Sequence, residues 1–179
     1  MKIKSILFIT SILFFAASCT KHQLTSADLT KKIDSVSMNL SYGFPDTVYL
    51  NTLSKQITEF VNTNPTDTAN LFLLMKLAGQ LEAHKKYNQC LSILDDVQIK
   101  YPKSKEAVQA LITQGFIYNS IGNFDKAKSK YTDYLEKHSD FDSNLTKSIQ
   151  LELENMGKSP EQILNEIQGK IDSSAAKNG

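Results

Sequence analysis

The sequence predicts an all-α chain: a solenoid of antiparallel helix pairs closed by helical caps at both ends. Two observations predict it. Pro65, Pro102 and Ser139 follow one another at a constant step of 37 residues, and the residues around them repeat in kind. Between these landmarks, apolar residues recur at three- and four-residue spacing, the period of a single buried helix face. Self-similarity over such a period marks stacked helical units, none of which can bury its apolar face alone. Composition agrees. With 179 residues, 41% of them apolar and 22% charged, the chain can build an ordinary core and is not disordered throughout. All 20 basic residues are lysine against 19 acidic ones, and there is no Arg or Trp. A nucleic-acid binder uses a basic face and Arg to read bases, so that class is set aside.

Residues 1–18 read as an export signal. Lys2 and Lys4 precede the apolar run Ile6 to Phe15, and the small residues Ala16, Ala17 and Ser18 follow. The run is too short for a comfortable membrane span. Ala17-Ser18-Cys19 resembles the lipobox of bacterial lipoproteins, which implies cleavage before Cys19 and lipid attachment to its thiol. More than one acyl chain, at about 0.8 kcal/mol per buried methylene, gives stable anchoring. Cleavage removes Lys2 and Lys4 and leaves a nearly neutral chain. Acylation of Cys19 leaves Cys90 without a disulfide partner, as a small buried residue. Residues 19–26 form a polar tether. No acidic residue follows Cys19 before Asp28, which by the same resemblance favours the periplasmic face of the outer membrane.

The helices follow in order. Residues 27–64 form an N-terminal cap: Leu29, Ile33, Val36 and Leu40 make one stripe. After the turn SYGFPD, Leu53, Ile57, Phe60 and Val61 make another. The first unit, 65–101, carries Leu71, Leu74, Met75, Ala78 and Leu81, turns at His84-Lys85-Lys86, and continues with Tyr87, Cys90, Leu91, Leu94 and Val97. The second, 102–138, repeats this with Val108, Leu111, Ile112, Gly115 and Tyr118, the turn Gly122-Asn123, then Phe124, Ala127, Tyr131 and Tyr134. Small residues at Ala78, Gly115, Cys90 and Ala127 imply close helix approach; a mid-helix Gly costs about 1 kcal/mol against Ala, so Gly115 implies a packing requirement. A contracted third unit, 139–171, has Leu145, Ile149, Leu151, Leu153 and Met156, a stop at Gly157 and a cap at Ser159. Pro160 then opens a helix with Ile163, Leu164, Ile167 and Ile171. Residues 172–179 are expected to be disordered.

These units resemble the tetratricopeptide repeat (TPR). Leu111, Gly115, Tyr118, Ala127 and Tyr131 fall on its signature in the second unit; Leu74, Ala78, Leu81, Cys90, Leu94 and the closing Pro102 do so in the first. The aromatic opener is missing from both, and Ser139 replaces the last Pro. Together with the lipobox and the segment LENMGKSPEQILNEI, the chain resembles a small Bacteroidota-type TPR lipoprotein, with the fold of a TPR-like α-solenoid. The resemblance implies a concave groove along the first helix of each pair. Its lining would be Phe72, Met75, Gly79 and Glu82, then Gln109, Ile112, Phe116, Asn119 and Ser120. The alternative is that the helices of 27–62 or the last helix cover these residues.

Catalytic patterns are lacking. There is no H-E-x-x-H, C-x-x-C, G-x-S-x-G or G-x-G-x-x-G. Gly157-Lys158-Ser159 imitates the end of a P-loop, but Glu152 stands where its upstream Gly is required. His22, His84 and His138 are too scattered for a metal site. Adjacent Asp95 and Asp96 point apart on a helix, and Glu152 and Glu154 meet the same objection to an acid–base pair. The expectation is therefore no enzyme, no cofactor and no metal. It is instead a scaffold in the cell envelope, membrane-bound through its lipid, that holds a protein or peptide partner. Outer-membrane protein assembly or envelope division are the settings the resemblance suggests. The alternative is a structural lipoprotein that binds glycan or peptidoglycan.

Overall fold

A computed structural model describes residues 24–39 and 47–177. The signal run, Cys19, most of the tether, Leu40 and the SYGFPD turn lie outside the described residues. Those residues form eight α-helices and no strand: α1 Ser26–Asn39, α2 Thr47–Thr63, α3 Asn70–Ala83, α4 Tyr87–Lys100, α5 Lys105–Ser120, α6 Phe124–His138, α7 Ser143–Asn155 and α8 Pro160–Lys177. Chain neighbours pack against each other: α3 with α4, α4 with α5, and α5 with α6, while α1 and α2 lie on α3 and α7 lies on α6.

Helix boundaries follow local chemistry. Ser104 caps α5 by accepting from the Ala107 N–H at 3.0 Å, and Asp142 caps α7 by accepting from the Asn144 and Leu145 N–H groups. Ser159 and Gln162 form a reciprocal capping box at the start of α8. The two intra-pair turns repeat bond for bond. Lys85 and Gly122, in register, both take positive φ, at 56° and 75°. The following N–H groups reach back five residues, Lys86 to Leu81 O and Asn123 to Tyr118 O, each at 2.8 Å.

Two apolar clusters make the core. The larger joins Leu29, Ile33 and Val36 of α1 to Leu50, Leu53 and Ile57 of α2, the inner faces of α3 and α4, and Ala110 and Ile117 of α5. The smaller holds Val108, Leu111 and Ile112 of α5, Ala127, Tyr131 and Tyr134 of α6, and Ile149 of α7. Helix α5 is thus buried on two sides and joins them. The small residues act as expected: the Cys90 thiol donates to Ala78 O at 3.2 Å, and the Tyr131 ring lies flush on Gly115. Burial and the charge of Glu82 push the Cys90 thiol up to about 12.

The C-terminal end departs from expectation in two ways. Helix α8 continues past Ile171 to Lys177, where disorder is expected. Its apolar stripe also stays in solvent: Leu164 is 66% exposed and Ile171 54%. Ala78 and Gly115 let α4 and α6 approach their partner helices; the residue in that register on α7 is Glu152.

Candidate protein-binding face

The expected groove residues divide by which neighbour reaches them. On α3, Phe72 is 51% exposed, with the Lys76 ammonium 4.8 Å from its ring centroid. Lys76 also pairs with Asp34 of α1, which ties the cap to the rim of this face. One turn on, Gly79 is exposed, and a Cβ built there meets nothing within 4 Å. Met75 is half-buried against the larger cluster, and Glu82 is exposed.

On α5, Gln109 and Ser120 are exposed, and Phe116 stands 37% exposed with its ring edge-on to Tyr131 at 5.5 Å. Ile112 does not belong to the groove. It is 4% exposed and sits in the smaller cluster, because α6 and α7 cover that side of α5. Asn119 is half-buried, and its amide donates to Glu152 Oε2 of α7 at 3.0 Å. This bond links the first helices of successive pairs. Among the described residues, Phe72 and Phe116 both remain exposed.

The signature residues are structural. Leu74, Leu81, Leu94, Leu111, Cys90, Ala127 and Tyr131 are buried, as are Ala78 and Gly115, while Pro102 lies exposed in the turn before α5. Tyr118 is half-buried, with the Lys126 ammonium 5.1 Å from its ring centroid. The Tyr131 hydroxyl is buried and has no hydrogen-bond partner among the described residues. Burial and the charge of Glu152 push its phenol far up.

Two residues gain roles that the sequence did not suggest. Gln114 is 1% exposed, and its amide donates to Asp95 Oδ1 at 2.7 Å and accepts from Gln98 at 2.9 Å. It is a satisfied polar bridge between α4 and α5. Glu152 faces Asn119, and only its break in the small-residue register could have marked it. Asp95 and Asp96 do point apart, toward Gln114 and Lys100. His84 caps the end of α3, and His138 ends α6.

On the opposite edge, clefts of about 300 and 210 Å³ lie at matching inter-unit junctions, one lined by Val61, Pro65, Lys100 and Tyr101, the other by Gln98, Pro102, Lys137 and His138. The ion pairs Asp96–Lys100 and Asp133–Lys137 repeat beside them. Both clefts are at or below the usual size of small-molecule sites, so they speak for periodic packing more than for a ligand. Among the described residues, no group of three or more His, Cys, Asp or Glu is placed to hold a metal ion. No described helix is long and apolar enough to cross a membrane. Set against protein-family models, curated proteins and solved structures, the chain matches none of them.

Proposed function

We propose that the chain is a non-catalytic scaffold: a TPR-like α-solenoid lipoprotein of the bacterial envelope that holds a protein partner along its first helices. The observation that carries this reading is the pair Phe72 and Phe116, large aromatics left 51% and 37% exposed on α3 and α5 while their neighbours at core positions are sealed. On the same helix as Phe72, the open surface at Gly79 lets a peptide backbone come close. Exposed aromatics at the centre of a face are the usual anchors of protein interfaces. The bond-for-bond repetition of the two turns and of the two ion pairs supports the solenoid part of the reading.

Anchoring through a lipid on Cys19 raises the local concentration of such a face, so a modest affinity suffices. The outer membrane, with the face turned to the periplasm, is the setting, and assembly of outer-membrane proteins or envelope division is the task. The test is crosslinking in the intact envelope with the chain as bait, wild type against Phe72→Ala/Phe116→Ala. A discrete partner that disappears in the double variant is the expected result. Capture that ignores both phenylalanines refutes the groove.

A further inference from the structure

Helix α7 breaks the small-residue register of Ala78 and Gly115 at Glu152, and the break creates a chemical corner. Glu152 is half-buried, its Oε2 holds the Asn119 amide at 3.0 Å, and no cation among the described residues forms an ion pair with it. Phe116, one turn before Asn119 on the same side of α5, presents an exposed ring that lies edge-on to Tyr131. The buried hydroxyl of Tyr131, unpartnered among the described residues, lies within the field of the same carboxylate. Elsewhere on this face Lys76 is neutralised by Asp34, whereas Glu82 is exposed and has no cationic partner among the described residues. Glu82 on α3 and Glu152 on α7 are thus carboxylates with no ion pair among the described residues.

We propose that Phe116, Asn119 and Glu152 form a subsite for a lysine side chain of the partner peptide. The apolar stem lies along Phe116, and the ammonium meets the free oxygen of Glu152. A lysine stem packs on apolar surface while its head stays polar, and an ammonium is further attracted to an aromatic face. Lysine fits better than arginine here. The compact ammonium needs a single carboxylate oxygen and leaves the Asn119 bond undisturbed, whereas a guanidinium forks across both oxygens and competes with it at Oε2. The subsite rests on the groove reading above and adds the chemistry of the partner.

The experiment probes the full chain in detergent against immobilised peptides of randomised sequence. Each has one central Lys, and matched sets carry acetyl-lysine, Arg or Glu instead. Lys peptides are expected to bind, with about tenfold loss on acetylation and on Glu152→Gln, and weaker binding in high salt. Glu152→Gln keeps an acceptor for Asn119, so its melting curve should match wild type; the acetylation arm needs no variant. Binding that ignores acetylation overturns the lysine subsite and leaves the groove reading standing. Binding by no peptide overturns both.

Discussion

Two glycines in equivalent helices should respond to alanine with opposite signs. A Cβ added at Gly115 would lie 2.7 Å from Tyr131 Cδ1 and 3.2 Å from Cζ, and closer still to Cε1. Carbon atoms settle near 3.5–4.0 Å, so the ring would have to move by roughly an ångström. It has nowhere to go: Tyr131 is fully buried and braced by Phe116. Overpacking of this kind costs about 1–3 kcal/mol, and the severity of the overlap places Gly115→Ala toward the upper end. Helix propensity returns about 1 kcal/mol, leaving a net loss of about 1–2 kcal/mol. For a chain of this size that lowers Tm by roughly 2–8 °C. Gly79→Ala has the propensity gain with no overlap, since nothing lies within 4 Å, and should raise Tm by roughly 1–4 °C. Gly115→Leu, which adds more bulk at the same contact, should be at least as damaging as Gly115→Ala. Thermal unfolding followed by helical circular dichroism measures all three. If Gly115→Ala melts higher than wild type, the close approach of α5 and α6 is wrong, and with it the repeat register.

Three further outcomes are expected. Cys90 should resist a thiol reagent at pH 8 in the folded chain and react once denaturant unfolds it, because the thiolate is disfavoured by burial and by Glu82. Its raised pKa also fixes a sign: between the ordinary thiol value of 9.0 and about 12 the folded state keeps a proton that the unfolded state has lost. Stability from this group is complete below pH 9 and falls as pH rises toward 12; a denaturation midpoint that rises over that range contradicts the burial. Cys19→Ala should leave the chain uncleaved or soluble, measured by its size and by fractionation, and normal membrane retention of that variant would sink the lipoprotein reading.

The helices themselves are legible in the sequence because their signals are local. The stripes Leu29/Ile33/Val36 and Leu53/Ile57, the turns at Lys85 and Gly122, and the caps at Ser159 and Pro160 all fall where spacing and turn chemistry put them. The close approaches at Ala78 and Gly115 are legible too, since a small residue at the same position of both units leaves room for a neighbouring helix at that level. Ile112 departs from its expected place in the groove for a non-local reason. It sits on the same helix as Phe116, but residues of α6 and α7 seal it into the smaller cluster, whereas Phe116 meets only the edge of Tyr131 and stays partly in solvent. Glu152 reads in the sequence as half of a poor acid–base pair and as the residue that spoils a P-loop; its bond to Asn119 is not legible, because the two lie 33 residues apart and no short-range pattern connects them.

What the sequence determines by itself is therefore the all-helical composition, which face of each helix is apolar, and the 37-residue register that relates the pairs. Those features arise from residues a few positions apart and from turns that close on themselves. The tertiary structure alone decided which apolar faces find cover. It placed α5 between two cores, left Phe72 and Phe116 open, brought Asn119 to Glu152, and held α8 away with its stripe of Leu164, Ile167 and Ile171 in water. Periodicity fixes the direction a face points along its own helix; whether another helix meets it depends on crossings set by residues far away in the chain.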